Sequence, residues 1–283
     1  MINFVYFGTP LFSKIVLEKL INNNYLPLAL IANPDRPVGR KKIITPPETK
    51  KLILEKKLEN KIKIFQPEIL DEKFINSIQN LNPLFGIVCA YSKIIPGNVL
   101  NIFKKGVLGV HPSLLPKYRG PSPIQSAILN GEKESGTTIY LLDDKMDHGP
   151  ILIQEKINIE NLDYQTSSLK LAELGGDLLV KILPDFIENK ITFVPQDENL
   201  ATYTKKFKTE DGFIDLKDLE IAQNQGGEIS LKIYNKIKAL NPEPGVWTIK
   251  NNKRIKIFEA EIINSKLKIK KIQIEGEKIK TIN

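Results

Sequence analysis

Short, continuously apolar runs alternate with amphipathic helical patterns through the N-terminal part of the chain. The runs cover residues 3–7, 26–31, 62–65, 84–91 and 107–110. A run that is apolar at every position is typical of a strand buried on both faces, as in a parallel sheet. Strands that alternate with helices predict an α/β fold with a doubly wound, mostly parallel sheet of the Rossmann-like type. The first glycine turn lacks the full Gly-x-Gly-x-x-Gly pattern, so a dinucleotide ligand is not implied.

A different pattern occupies the C-terminal part. Residues 254–262 and 266–274 nearly alternate lysine with isoleucine, and residues 246–250 form a further strand before them. Period-two alternation places the isoleucines on one face of the sheet and the lysines on the other. We therefore predict a second, smaller domain that is a β-barrel with an apolar interior and a basic exterior.

The length of 283 residues is enough for two domains that each bury a core. We place them at residues 1–192 and 209–283, joined by a linker over 193–208. Residues 230–283 hold thirteen Lys or Arg and five Asp or Glu, a difference of +8 that equals the net charge of the whole chain. This asymmetry favours a polyanionic partner for the second domain, although a lysine-rich solvated surface gives the same pattern.

Several classes of protein are disfavoured by composition. No apolar run has the length of a membrane helix, and the first residues form a strand rather than a signal peptide. The single cysteine, Cys89, lies in an apolar run, and the two histidines are too few for a Cys/His metal cluster. We predict a cytoplasmic protein without a metal, and a monomer, since no exposed apolar heptad or long unpaired apolar edge is evident.

His111 stands where an apolar strand meets a proline-rich loop. The run over residues 107–110 leads to His111, and Pro112 ends the strand. In an open α/β sheet, ligands bind outside the carboxyl ends of the strands, so this imidazole is well placed for chemistry. For an isolated histidine, a partly buried ring bonded to the backbone is the simpler interpretation.

A carboxylate in a second stretch favours a catalytic role for His111 over that simpler interpretation. Residues 137–142 form another strand-like run, and Asp147 follows shortly before a Gly-Pro turn at 149–150. If Asp147 lies beside His111, the two side chains form a general acid–base pair. Spacing alone does not establish that they meet.

Several motifs carry a resemblance to a known family. His-Pro-Ser-Leu-Leu-Pro-Lys-Tyr-Arg-Gly at 111–120 and Met-Asp-His-Gly at 146–149 resemble the signature of the folate-dependent formyltransferases. The stretch at 7–12, together with Pro-Asp-Arg-Pro-Val-Gly-Arg at 34–40, narrows the resemblance to the methionyl-tRNA branch of that family. The match continues through Ala-Thr-Tyr-Thr at 201–204. The similarity extends over nearly the whole chain, including Lys-Ala-Leu-Asn-Pro-Glu-Pro-Gly at 238–245.

The resemblance implies the roles of residues around the histidine. His111 and Asp147 are the expected catalytic residues, and 10-formyltetrahydrofolate is the expected formyl donor. The family has Asn-Val-His where this chain has Gly109, Val110 and His111, so one member of the usual catalytic trio is missing. A water, another side chain such as Gln125, or a loss of catalysis could account for the glycine. The residues expected to wall the folate pocket are Ser113, Leu114, Leu115, Pro116, Tyr91 and Ile95.

A basic segment and the second domain are the expected contacts to tRNA. The loop over residues 33–46 is long and rich in Gly and Pro, and long loops in compact domains are usually functional. The resemblance places an RNA-reading loop here, and its cations are Arg36, Arg40, Lys41 and Lys42. The second domain is shorter than the family pattern, which predicts an incomplete barrel.

Together these features predict an enzyme that transfers the formyl group of 10-formyltetrahydrofolate to the α-amine of methionyl-initiator tRNA, for translation initiation. Two alternatives remain. One is an N-formyltransferase that acts on an amino sugar nucleotide or a purine precursor, which explains His111 and Asp147 but not the basic loop. The other is a catalytically silent tRNA-binding protein, which Gly109 favours.

Overall fold

The computed structural model describes residues 2–39 and 41–282. Its strands are β1 Phe4–Gly8, β2 Ala29–Ile31, β3 Arg36–Val38, β4 Ile43–Thr45, β5 Lys63–Phe65, β6 Phe85–Cys89, β7 Val107–His111, β8 Glu134–Leu141, β9 Ile151–Asn158, β10 Val246–Lys250, β11 Lys253–Ile263, β12 Lys266–Ile274 and β13 Lys280–Thr281. Its α-helices are α1 Leu11–Asn22, α2 Glu48–Glu55, α3 Glu72–Gln79, α4 Gly97–Leu100, α5 Pro123–Leu129, α6 Tyr164–Ile187, α7 Leu216–Asn224 and α8 Glu228–Leu240.

A seven-stranded sheet has the order β5-β2-β1-β6-β7-β8-β9. The strands β5, β2, β1, β6 and β7 pair in parallel, whereas β8 pairs antiparallel to β7. All five residues of both β1 and β7 are buried, which agrees with their uninterrupted apolar runs. The predicted α/β class with a mostly parallel sheet is confirmed.

One core cluster lies on one face of the central strands. It joins strand residues to side chains from α3, α4 and the turn that follows α4: Val5, Phe7, Ala29, Ile31, Phe74, Ile78, Val99, Phe103 and Val107. The helices α3 and α4 therefore pack on this face of the sheet. His111 is the last residue of β7 and is buried.

The basic segment over residues 33–46 is more ordered than the loop that the sequence indicated. β3 and β4 pair antiparallel as a two-stranded hairpin, in which Arg36 lies opposite Thr45 and Val38 opposite Ile43. The sequence did not reveal these strands because each has only three residues and Pro37 interrupts the first.

The chain divides into two compact units. The first contains residues 1–119, 136–156 and 168–202, and the second contains residues 120–135, 157–167 and 203–283. The linker expected over 193–208 is thus divided between them. In the described residues no helix is both long and apolar enough to cross a bilayer.

The second unit is built on an antiparallel sheet of order β10-β11-β12-β13. The helices α7 and α8 pack on this sheet, and α5 packs on α8. The side-chain amide of Asn241 joins helix to sheet, because it donates to the carbonyl oxygens of Ile237 and Ile257, both at 3.0 Å. A second domain of antiparallel strands is confirmed, whereas the β-barrel that the sequence indicated is seen only as this four-stranded sheet, with β10 and β13 at its ends in the described residues.

Candidate active site

The imidazole of His111 is held by a backbone carbonyl. Nε2 lies 2.9 Å from the carbonyl oxygen of Tyr118, and the side chain is 8% exposed. A carbonyl oxygen only accepts hydrogen bonds, so Nε2 carries a hydrogen and donates it. In the neutral ring, Nδ1 then has the free lone pair and can accept a proton.

Asp147 lies beside that second nitrogen. Its Oδ2 is 3.6 Å from His111 Nδ1, and its side chain is 16% exposed. The backbone of Asp147 is left-handed, with φ +51°, a conformation that aspartate and asparagine adopt more readily than most residues other than glycine. The pairing that the sequence left open is therefore present: a carboxylate faces the proton-accepting nitrogen of the histidine.

The loop that carries Asp147 is tied down by a distant glutamine. Nε2 of Gln196 donates to the carbonyl oxygens of Asp147, at 2.9 Å, and Gly149, at 2.8 Å. Arg119, which is fully buried, donates from Nε and Nη2 to Oε1 of Gln196, at 3.0 and 2.8 Å. The position of the loop that carries Asp147 thus depends on Gln196 and Arg119.

Arg119 also pairs with Glu198. Its Nη2 is 2.6 Å from Oε1 of that carboxylate, and this hydrogen bond lowers the pKa of Glu198 below its ordinary value. Sequence reasoning missed Gln196 and Glu198 because they lie 77 and 79 residues from Arg119. The sequence analysis gave Arg119 no role of its own, although its place in the 111–120 motif is a signal that could have found it.

The space beside Gly109 is filled by an aromatic ring. A Cβ atom at Gly109 would lie 2.3 Å from Cε1 and 2.5 Å from Cζ of Tyr140, and 2.7 Å from Cδ1 of Leu142. The hydroxyl of Tyr140 donates to Oδ1 of Asp147 at 2.7 Å. Burial, and then the neighbouring Asp147, raise the pKa of Tyr140 well above its usual value, so the phenol stays protonated. The sequence analysis did not single out Tyr140.

The loop after His111 contains two buried residues and two half-buried residues that were predicted to contact the folate. Ser113 and Leu115 are buried, and the hydroxyl of Ser113 donates to the carbonyl oxygen of Lys117 at 2.6 Å. The backbone N–H of Leu115 donates to Oγ1 of Thr138 at 3.2 Å. Leu114 and Pro116 are half-buried. The first two residues therefore hold the loop, and the other two offer surface to a ligand.

Tyr91 and Ile95 form part of an apolar wall after β6. Both are half-buried and pack on the core cluster, and the ring of Tyr91 meets Phe7 edge-on at 5.7 Å between centroids. Burial raises the pKa of Tyr91 to about 12. In the described residues, its buried hydroxyl and Oδ1 of Asn33 have no hydrogen-bond partner. An apolar wall with a few unpaired polar atoms fits a planar heteroaromatic ligand such as a folate.

The predicted tRNA-binding cations lie on or near the hairpin. The side chain of Arg36 is 61% exposed and its Nη2 pairs with Oε2 of Glu68 at 2.7 Å. Lys41 and Lys42 are exposed, whereas Arg40 lies outside the described residues. No contact brings these cations to His111 in the part of the chain that the structure describes.

A mostly parallel α/β sheet that holds a buried histidine 3.6 Å from a carboxylate, at the end of a strand, can accept and return a proton, as enzymes of group transfer require. The model of the formyl transferase family matches residues 2–183, and that of the formyl transferase C-terminal domain matches residues 227–283. The chain belongs to the formyl transferase family, and the predicted resemblance is confirmed.

Within that family, similarity is high to proteins that act on methionyl-tRNA. The methionyl-tRNA formyltransferase of Dictyoglomus thermophilum is 42% identical over 259 residues, which cover 90% of this chain and 78% of the relative. The crystal structure of an N-formyltransferase from Helicobacter canadensis aligns with a TM-score of 0.68 at 21% identity, over 93% of this chain and 89% of that one. The methionyl-tRNA formyltransferase of Clostridium thermocellum aligns with a TM-score of 0.61 at 17% identity, over 97% and 99%. At these identities the two structures establish the fold alone.

Proposed function

We propose that this chain transfers the formyl group of 10-formyltetrahydrofolate to the α-amine of methionine esterified to initiator tRNA, as a cytoplasmic monomer. The observation that carries the proposal is the pair of the buried His111 and the partly buried Asp147, with Nδ1 and Oδ2 3.6 Å apart. Its support from relatives is the 42% identity to a methionyl-tRNA formyltransferase.

The proton chemistry follows from the tautomer of His111. An amine attacks the formyl carbon only when it is neutral, and it must lose a proton as the new bond forms. The donation from Nε2 to the carbonyl of Tyr118 leaves Nδ1 to accept that proton. Asp147, whose Oδ2 lies 3.6 Å from Nδ1, then stabilises the resulting imidazolium. As the bond between the formyl carbon and the N10 nitrogen of the folate breaks, the proton on Nδ1 passes to N10, and tetrahydrofolate leaves.

The remaining site residues would bind the two substrates. In our proposal the half-buried surfaces of Tyr91, Ile95, Leu114 and Pro116 contact the folate, while Ser113 and Leu115 keep their loop in place. The cations of the segment over residues 33–46, which are Arg36, Arg40, Lys41 and Lys42, would contact phosphates, which position the acceptor end without reading its sequence.

A single-turnover assay tests the function. The purified chain is mixed with methionyl-initiator tRNA and 10-formyltetrahydrofolate, and formylmethionine is measured after ester hydrolysis. We expect transfer by the wild type, its loss in His111→Asn, and no transfer to dTDP-3-aminofucose. Transfer to the amino sugar instead would make the chain a sugar-nucleotide formyltransferase. Bound tRNA without any transfer would make it a silent tRNA-binding protein.

A further inference from the structure

Gly109 and Tyr140 are direct partners across two strands. β7 and β8 pair antiparallel, with Gly109 opposite Tyr140 and His111 opposite Thr138. Side chains two residues apart on a strand share a face of the sheet. Tyr140 therefore lies on the same face as His111, next to the backbone position from which the family's asparagine projects.

The ring of Tyr140 occupies the volume that a side chain at residue 109 would need. A Cβ there would come within 2.3 Å of the ring, far inside van der Waals contact, and Tyr140 is only 6% exposed. A buried ring cannot turn into solvent, and close-packed interiors respond poorly to added volume. A glycine at residue 109 thus leaves room for the ring of Tyr140, and the two residues pack as a pair.

The hydroxyl of Tyr140 acts on the catalytic carboxylate. It donates to Oδ1 of Asp147 at 2.7 Å, while Oδ2 of the same carboxylate faces Nδ1 of His111 at 3.6 Å. A hydrogen bond to one oxygen fixes the rotation of the carboxylate and so directs the other oxygen. Tyr140, Asp147 and His111 form a continuous polar chain in the site.

We propose that Tyr140 is a positioning residue for formyl transfer, and that the Gly109–Tyr140 pair takes the place of the family's asparagine. The proposal rests on the proposed function. Tyr140 acts through Asp147: its ring fills the space of the missing side chain, and its phenol holds the carboxylate toward His111 during proton transfer.

Removal of one hydroxyl tests this role. Hydrogen bonds to charged groups are worth about 1.5–3 kcal/mol, so Tyr140→Phe should lower kcat by about 10- to 100-fold, with KM for methionyl-tRNA within about twofold. The matched control is Tyr6→Phe, because the buried hydroxyl of Tyr6 donates to the carbonyl oxygen of Ser13 at 2.8 Å. This control should keep the wild-type kcat.

A double-variant cycle separates positioning from general stability. If Tyr140 acts through Asp147, Tyr140→Phe should cost nothing further in the background of Asp147→Asn. A Tyr140→Phe variant with wild-type kcat, or a fully additive cycle, would overturn the proposal. A wild type that transfers no formyl group would instead refute the proposed function, and the two failures are therefore distinct.

An exchange of residues tests the pair itself. Gly109→Asn alone should lower the melting temperature and kcat because of the clash with the ring, whereas Gly109→Asn with Tyr140→Leu should regain both in part. Gly86→Ala on β6 is the control, since its added Cβ would meet only side-chain atoms of Val107 and Phe103, at 3.2–3.4 Å. The idea fails if Gly109→Asn alone matches the wild type in both measurements, or if the double variant is no better than the single one. If Gly109→Asn does not fold, the Tyr140→Phe comparison still decides.

Discussion

The acid–base pair and the basic hairpin differ in burial and in how firmly their side chains are held. His111 is buried and Asp147 is partly buried, and hydrogen bonds hold the ring of the first and the backbone of the second. The side chain of Arg36 is 61% exposed, and Lys41 and Lys42 are exposed as well. The first region suits a reaction that depends on fixed distances, and the second suits phosphates, which attract charge over a range of geometries.

This contrast determines how each region should respond to mutation. A buried chain of hydrogen bonds loses function when any member is removed, because the others lose their orientation. Exposed cations contribute separately and lose strength with added salt. The predictions that follow test whether chemistry and binding separate in this way.

The largest effect is expected for the histidine. His111→Asn should reduce kcat by about 10²- to 10⁴-fold, the usual value of a positioned acid or base, without changing the affinity for tRNA. Single-turnover formylation and filter binding measure the two quantities. The control is His148→Asn, because Nδ1 of His148 bonds to Asp143 at 2.5 Å rather than to Asp147. An equal loss in both variants would contradict the assignment.

Loss of the buried Arg119 guanidinium should lower kcat through Gln196 and the loop that carries Asp147. Arg119→Met leaves Gln196 without its donor and should lower the free energy of unfolding by about 2 kcal/mol, together with kcat. Urea denaturation gives the first value and the formylation assay the second. Lys117→Met, at a neighbouring exposed position, should change neither. Unchanged kcat in Arg119→Met would show that the Asp147 loop holds its position without this support.

The hairpin cations should affect binding alone. Lys41→Gln combined with Lys42→Gln should weaken tRNA binding about 3- to 10-fold near 0.1 M salt and reduce the slope of log K against log salt by about 1–2. The control pair is Lys57→Gln with Lys104→Gln, which removes exposed lysines outside the hairpin. If kcat at saturating tRNA also fell, the hairpin would not be separable from the chemistry.

The smallest effect concerns acid stability. The Arg119 hydrogen bond holds the pKa of Glu198 below its ordinary 4.5. A carboxyl whose pKa is lowered on folding stabilises the protein above its unfolded pKa, and this contribution disappears as the pH falls through the folded pKa. Melting temperatures between pH 6 and pH 3 should therefore decline more steeply in the wild type than in Glu198→Gln. Parallel declines would show that the pair adds no acid dependence.

The amino-acid sequence by itself determined the class of the fold and the position of His111. Continuous apolar runs can only be buried on both faces, so the parallel strands could be read directly from the sequence. The family could also be inferred from the sequence, because the motif at 111–120 and the motif that contains Asp147 are each short and continuous. The hairpin was missed because its strands are too short for a periodic signal.

Only the tertiary structure decided which residues surround His111 and Asp147. The register of β8 against β7 places Tyr140 opposite Gly109, and no local pattern states which residues of two antiparallel strands face each other. Gln196 reaches the Asp147 loop across 49 residues of sequence. Side-chain hydrogen bonds of this kind depend on distances that exist only after the chain has folded. In the sequence, Gly109 is a departure from the family pattern, whereas in the structure the ring of Tyr140 packs against it.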